Sequence, residues 1–504
     1  MKGLGSRPEL WERMQSGEAF DLAIIGGGAT GLGIALHAAA SGLKTILVER
    51  ADFAQGTSSR STKLIHGGVR YLQQGNIRLV KEALRERGLL MQNAPHLVNN
   101  MEFVIPSYRR WKRWYYALGL KVYDRLAGRL GLGRSLLLDP RETVTRLPGI
   151  QAFNLRGGVS YHDGQFDDAQ LALSLAMTAA EHGALLVNHA EVTEIIHTNG
   201  KASGIKVVDR LGHAACTLAC QFLVNATGAF SDSVMRFDRP DHTPVIRPSQ
   251  GVHLVVDNSF FPGNTAMLIP KTDDGRVLFA VPWHGRVILG TTDTLIESPA
   301  QEPIPKDVEI DFILRHIARY LKHSPTRKDV LSAFAGIRPL VKTTDKKTSE
   351  LARDHVIRVS KSGMISILGG KWTTYRKMAA DVMRKIHARC PEKVKLVDTR
   401  MLRLVDFNSL PRPASIEGLS AADLAASVEL EARQRLCMTV EDYLARRTRQ
   451  LLLDARYAME RAPEVAHTLA RVHQRDATWI EAQLSQFQSL ALQYLPTHSS
   501  TPSS

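Results

Sequence analysis

Residues 20 to 50 read FDLAIIGGGATGLGIALHAAASGLKTILVER, and the order of residue types in this stretch decides the fold. Leu22 to Ile25 form a short apolar run of β type, glycines follow, Leu32 to Ala40 suits a helix, and Thr45 to Val48 is a second β run ending at Glu49. Gly26, Gly28 and Gly31 have the spacing Gly-x-Gly-x-x-Gly between strand and helix. There the glycines permit a tight turn, close approach of backbone to a pyrophosphate, and tight helix packing. The first helical turn, with Ala29 and Thr30, offers free N–H groups and partial positive charge to phosphates. Glu49 stands where a carboxylate accepts hydrogen bonds from both ribose hydroxyls, with Arg50 next to it. Strand, glycines, helix, strand and acid in this order predict a βαβ unit that binds a dinucleotide. Leu22 to Leu43 carries no Asp, Glu, Lys or Arg, and about 20 such residues can cross a bilayer. Its glycines and the β run after it assign it instead to a buried βαβ unit.

A chain of 504 residues, 44% hydrophobic and 23% charged, has room for two or three domains with a sizeable core. Such a composition excludes disordered and fibrous classes. With 65 Lys+Arg against 50 Asp+Glu the net charge is +15, which favours nucleic acid, an anionic membrane surface or phosphorylated substrates. No nucleic-acid reader motif is present, so nucleic acid is not an expected partner. Cys216, Cys220, Cys390 and Cys437 are too scattered for a disulfide framework, and no Cys/His pair of zinc spacing follows the first two, so no metal site is expected. The residues before Phe20 lack the apolar core of a signal peptide, and a reducing, cytoplasmic location is expected.

Two more glycine turns follow β-like runs: FLVNATGAFSD at 222 to 232, with Ala226, Thr227 and Gly228, and ISILGGKWTTYRKMAADV at 365 to 382, with Gly369 and Gly370 before a helix starting near Thr373. A nicotinamide enzyme needs only one such loop, whereas an extended flavin dinucleotide touches several. The segment TSSRSTKLIHGGVRYLQ, residues 57 to 73, adds hydroxyls, cations and a Gly-Gly pair. Alone it reads as a solvated polar loop.

The stretches IIGGGATGLG, TSSRSTKLIHGGVRYL, FDDAQL, VNATGAFSD, ILGTTD, AGIRPL and GGKWTTYRKMA, over roughly residues 20 to 380, resemble the FAD-dependent, aerobic, quinone-linked glycerol-3-phosphate dehydrogenase family. TVEDYLARRTRQLLLDA, at 439 to 455, resembles that family's carboxy-terminal helical domain. The resemblance implies an α/β fold: a Rossmann-like FAD-binding domain of the glutathione-reductase/D-amino-acid-oxidase type, with a β-rich substrate domain and a carboxy-terminal helical domain. It implies oxidation of sn-glycerol 3-phosphate to dihydroxyacetone phosphate by hydride transfer from C2 to FAD, with electrons passed to ubiquinone or another membrane quinone. An expected attachment residue is missing, so noncovalent FAD is implied. Beyond the first loop, the implied cofactor contacts are Thr57, Ser58, Ser59 and Ser61, then His66, Gly67 and Gly68, with Gly67-Gly68 approaching the flavin ring. Lys371, Thr373 and Thr374 complete the set. A dianionic phosphate is best gripped by guanidinium forks, and by resemblance Arg70 and Arg338 are its anchors, with Tyr71 beside Arg70. Lys371 falls near substrate and flavin, and His253 is the candidate base, with His66 as the rival. Gly164-Gln165-Phe166 depart from the family's pattern and are expected to touch none of these residues.

A coarse pass divides the chain into a discontinuous flavin domain (20–95, 150–245 and 330–385), a connecting segment of 96–149, a substrate cap of 246–329, a helical domain of 405–496 and a disordered tail of 497–504. Thr439 with Asp442 makes a capping box. YRRWKRWYYALGLKVYDRLAGRL, at 108 to 130, mixes cations with Trp111, Trp114, Tyr115 and Tyr116. It reads either as a helix with aromatic core contacts or as a segment lying among anionic headgroups. With a quinone as acceptor, the second reading expects peripheral association with the inner face of the cytoplasmic membrane; a homodimer is the candidate assembly. A D-amino-acid-oxidase-like enzyme using oxygen is the rival activity.

Overall fold

The computed structural model describes residues 3–69, 75–342, 355–407 and 416–496. Arg70, Tyr71 and the tail of 497–504 lie outside the described residues.

The predicted βαβ unit forms from strand Phe20–Ile25, helix Ala29–Ala40 and strand Thr45–Val48. The helix is buried on nearly every side, which explains why it carries no charge. Phe20–Ile25 runs parallel to Thr45–Val48 on one side and to Ala215–Asn225 on the other, so Ile25 faces both Val48 and Asn225. Ile365–Gly369 joins next, parallel to Ala215–Asn225, with Asn225 opposite Ser366. In a parallel sheet the strand ends of one polarity share an edge. The three glycine turns after Ile25, Asn225 and Leu368 therefore open at one edge, although nearly 200 residues separate the first two.

A second, mostly antiparallel sheet builds the other wall. Its longest strands, Ile246–Asp257 and Val330–Val341, pair so that Ser249 faces Arg338, Gly251 faces Gly336 and His253 faces Phe334. Directly opposed residues share a face, so the alternation of GVHLVV and AGIRPL gives one polar, glycine-rich face and one of Val252, Leu254, Ala333 and Ala335 buried in an apolar core. The same sheet takes in Val98–Pro106 and Gly158–Phe166, so it draws strands from the connecting segment and from the flavin-domain ranges as well as from the cap. Apolar alternation marks a strand but not which sheet it enters. The leader before Phe20 also joins the fold: Arg7 donates to the Asn188 carbonyl and pairs with Asp209 at 2.5 Å, and Leu10 and Met14 enter the main core.

The carboxy-terminal helices pack on these sheets through buried charge. Asp442 N–H donates to Thr439 Oγ1 and Thr439 N–H to the Asp442 carboxylate, both at 3.1 Å, which completes the expected capping box; the turn it opens, Asp442–Arg447, is π-helical. From that turn Arg446 and Arg447 both reach Asp52 at 2.6 Å. Arg449 reaches Asp168 at 2.9 Å, and Asp168 also holds the Lys63 ammonium at 2.8 Å. Lys63 and Asp168 are fully buried. Burial and the nearby Arg449 pull Lys63 down to about 7 against the pull of Asp168. Removing one member of such a cluster leaves the others uncompensated, at a cost of about 3–5 kcal/mol. Asp168→Ala is therefore expected to lose stability on that scale in thermal or urea unfolding. Glu429→Ala, which breaks a largely exposed pair with Arg433, should cost less than about 1 kcal/mol.

Candidate functional site

Between the glycine edge of the parallel sheet and the polar face of the second sheet lies a cavity of about 550 Å³. The first βαβ unit contributes Gly26, Gly28, Ala29, Thr30, Glu49 and Arg50 to its wall. The 57–69 segment contributes Thr57, Ser58, Ser61 and His66, and the second glycine turn Ala226, Thr227 and Gly228. His253 and Arg338 come from the second sheet, and Gly369, Gly370, Lys371 and Thr373 from the third glycine turn.

The wall near the first turn is built for close approach. Gly26 has φ +107°, and a Cβ there would lie 2.8 Å from the Ala226 carbonyl oxygen. Glu49 accepts N–H bonds from Gly27 at 2.6 Å and Ala51 at 3.0 Å. Burial pushes its carboxyl above the ordinary range while these two donors oppose the shift. Ser58 Oγ accepts the Ala29 N–H at 3.0 Å, and Trp372 Nε1 donates to the Ser58 carbonyl at 2.8 Å, so the 57–69 segment is tied to the first and third turns together. Arg50 stacks its guanidinium 4.1 Å over the Phe230 ring, beside the second turn.

The opposite wall is the face carrying His253 and Arg338. Glycines at 251, 290 and 336 make room on it for their neighbours: a Cβ at Gly251 would collide with the Arg338 guanidinium, one at Gly290 with the His253 ring and one at Gly336 with the Arg60 carbonyl. Arg338 donates to the Thr292 carbonyl at 3.0 Å and Thr291 Oγ1 at 3.1 Å and pairs with Asp293 at 3.3 Å. The guanidinium thus faces the cavity and has carboxylate support as well. His253 stacks on Phe334 with centroids 4.9 Å apart, and its Nε2 lies 2.9 Å from Thr62 Oγ1. Burial, Arg338 and Lys63 together hold its imidazole well below the ordinary range, so it is neutral at pH 7.

Other sequence-predicted contacts serve packing. Ser59 is buried and its carbonyl accepts from Lys63 at 2.7 Å and Arg449 at 2.7 Å, away from the cavity wall. Gly67 packs under Leu84 and Tyr123, where a Cβ would collide, and its N–H donates to Tyr123 Oη at 2.8 Å. Gly67 and Gly68 are buried and absent from the cavity wall, so they do not form the approach to a ring that the sequence suggested. Gly31 packs on the Gly26 carbonyl, and Thr374 Oγ1 caps the Lys371 carbonyl. Phe166, expected to stay clear of the site, meets Trp372 edge to face at 5.6 Å, next to Lys371. Sequence reasoning passed over Thr62, Trp372, Phe230, Phe279 and Gln301, all of which line the cavity. Thr62 and Trp372 lie inside quoted motifs and were within reach; Phe279 and Gln301 carry no local signal.

Three glycine turns on one sheet edge, an acid folded back on the first, and a cavity continuing to a second sheet define a protein that holds an extended dinucleotide beside a second small molecule. The family model for FAD dependent oxidoreductases matches residues 21–376, and the chain belongs to that family. The chain is 43% identical over 395 residues to a probable mitochondrial glycerol-3-phosphate dehydrogenase of Caenorhabditis elegans, covering 76% of this chain and 55% of that one. It is 44% identical over 390 residues to the mitochondrial glycerol-3-phosphate dehydrogenase of Rattus norvegicus, covering 74% and 53%. It thus spans about half the length of these relatives. The fold is similar to the glycerol-3-phosphate dehydrogenase from Bacillus halodurans complexed with FAD, with a TM-score of 0.80, 27% identity and 100% of both chains covered. The residues present fit FAD: the Gly26 turn leaves no room for a side chain, and Glu49 is held at the following strand end by two backbone donors. Glu49→Ala is expected to weaken FAD retention by about 1.5–3 kcal/mol, the range for a charged hydrogen-bond partner. Equilibrium dialysis read by flavin absorbance checks it.

Proposed function

We propose that this chain oxidises sn-glycerol 3-phosphate to dihydroxyacetone phosphate, with a membrane quinone as the final electron acceptor. The observation that carries the reading is the pairing, on one face of the second sheet, of a guanidinium supported by Asp293 with a buried imidazole bonded to Thr62, both in the wall of the cavity that fits FAD. FAD, when bound, supplies the acceptor for a hydride. Arg338 grips the substrate phosphate through charge-assisted bonds, and Lys371, on the adjoining turn, adds a second cation near the reacting carbon. His253 serves as the base for oxidation of the C2 hydroxyl, a role that needs a neutral ring, and its surroundings favour that form. Substrate charge completes the logic: a phosphate dianion on Arg338 offsets the cation that depresses His253, so its proton affinity rises once substrate is seated. Arg70 and Tyr71 remain substrate anchors by resemblance alone. The test is bleaching of flavin absorbance by glycerol 3-phosphate, with glycerol, lactate and amino acids as controls. Arg338→Ala should keep its flavin and lose about 1.5–3 kcal/mol of substrate stabilisation per lost bond. Bleaching by amino acids instead would move the activity to the oxidase reading.

The quinone places the working enzyme at a bilayer, and helix Arg110–Ala127 supports peripheral attachment at the inner face of the cytoplasmic membrane. Its inner face buries Ala117, Leu120 and Tyr123, while Trp111 is 62%, Trp114 61% and Leu118 68% exposed. Tyr116 and Tyr123 make the core contacts of the other reading, and Trp111, Trp114 and Tyr115 are left outside. Trp111, Trp114, Leu118 and Val122 follow helical spacing along one outer stripe. Exposed Arg109, Arg110, Lys121 and Arg125 flank it, each contributing ~1 kcal/mol near an anionic surface. Among the described residues no helix is long and apolar enough to cross a membrane. Replacing Trp111 and Trp114 together by Ser should abolish flotation with anionic liposomes while flavin bleaching persists; undiminished flotation would reject this attachment.

A further inference from the structure

The imidazole of His253 is almost sealed from the cavity whose wall it forms. The residue is 2% exposed. Phe334 covers one face of the ring, and the backbone at Gly290 crowds its Cδ2 edge. Nδ1 is buried and has no hydrogen-bond partner. Nε2 is engaged by Thr62 Oγ1 at 2.9 Å. Thr62, by contrast, is partly exposed and lines the cavity. No other hydrogen bond of its hydroxyl is seen among the described residues.

We propose that the Thr62 hydroxyl is a proton relay, standing between the substrate hydroxyl and Nε2 of His253. The inference rests on the base role assigned to His253 above and supplies the path that role lacks. With Nδ1 sealed, a base can work only through Nε2, and the relay requires the resting ring to carry its proton on Nδ1 while Nε2 accepts from Thr62 O–H. A substrate hydroxyl donating to Thr62 Oγ1 completes a two-bond chain. When the alcohol is oxidised, its O–H bond breaks and the proton goes to Thr62 Oγ1, while the proton already on Thr62 passes to Nε2. Thr62 ends neutral and His253 ends as imidazolium. The hydrogen on the reacting carbon leaves with its electron pair to FAD, and the carbon becomes a carbonyl. Thr62 is anchored for this task by its neighbours: Ser61 donates to Asp168 at 2.7 Å and Lys63 is held by the same carboxylate, so the backbone on both sides is fixed.

The test uses flavin-loaded wild type and the variants Thr62→Val, Thr62→Ser and His253→Ala, each checked for flavin content and melting temperature. Flavin reduction by glycerol 3-phosphate is followed by stopped flow. Thr62→Val should be slowed ~100-fold or more, the scale of a lost general-base path, and Thr62→Ser should recover most of that rate. In mixtures of H2O and D2O the wild-type rate should show the curved dependence of two protons in flight. Nitrogen NMR of labelled histidine in the wild type should find Nδ1 protonated and Nε2 accepting, a readout independent of turnover. A Thr62→Val variant reducing flavin at the wild-type rate, a straight proton inventory, or a proton on Nε2 would each overturn the relay. If Thr62→Val is normal and His253→Ala is slow, the base reading stands and only the relay falls. If His253→Ala is normal, or the substrate fails to bleach the wild type, both readings fall.

Discussion

The shape of the cavity depends on one buried carboxylate. Asp168, at the start of helix Asp168–Glu181, has no exposed surface and draws in Lys63 from the 57–69 segment and Arg449 from the carboxy-terminal helices. It also accepts from Ser61 N–H and Oγ at 3.1 and 2.7 Å. Desolvating three charges is costly, and a buried ionic cluster is weak support for stability in itself. What the cluster supplies is position: Asp168 holds Ser61 and Lys63, Lys63 and Arg449 hold the Ser59 carbonyl, and the backbone so fixed presents Thr62 to the cavity. Asp52 repeats the device one turn further back, joining the loop after Glu49 to Arg446 and Arg447. The helical domain therefore acts on the site without touching it.

Against this fixed segment the two sheets make complementary contributions. The parallel sheet brings distant glycine turns to one edge because its register aligns Ile25 with Asn225. The antiparallel sheet sets single side chains on a cleared face, with glycines opposite or beside the residues that need space. The first arrangement suits backbone contact with a long dinucleotide, and the second suits a small polar molecule held by a few groups. Trp372 links them: its indole reaches the Ser58 carbonyl and its ring meets Phe166 at the end of a second-sheet strand.

Sequence alone carried the parts of this design that are local. Periodicity in 20–50 and the three glycine turns announced the parallel sheet, whereas His253 and Arg338 were reached through the family resemblance, and only the strand pairing sets them on one face opposite the apolar core. The Thr439–Asp442 box was readable because capping depends on residues three apart. Long-range pairing was not readable. Nothing near Asp52 or Asp168 in sequence says which arginines will meet them, and the RRTR run looks like a solvated helical face until its partners are known. The same limit explains the misread members of the 57–69 segment. Hydroxyl and glycine types suggested contact with a cofactor at Ser59 and Gly67, but the peptide turns that residue's carbonyl to a cation in one case and packs its Cα under Tyr123 in the other. It explains Gln301 and Phe279 too, which reach the cavity only because the second sheet folds them there.

The charge arrangement around His253 shows why such a site benefits from a segment as tightly pinned as this one. Burial and two cations, Arg338 and Lys63, lower the imidazole's proton affinity before any substrate arrives. In the proposed reaction the ring must then gain a proton. The field has to change between those moments, and the proposed phosphate on Arg338 would supply that change. Lys63 cannot be relieved in the same way, since it is sealed behind Phe334 with its charge committed to Asp168. A carboxylate at that distance partly cancels the Lys63 field at the ring, so Asp168 has an electrostatic part as well as a mechanical one. Moving the 57–69 segment by even a fraction of a hydrogen bond would alter the position of Thr62 and the balance of charge at His253 together. This would couple the geometry of the proposed proton transfer to the same buried cluster that anchors the carboxy-terminal helices.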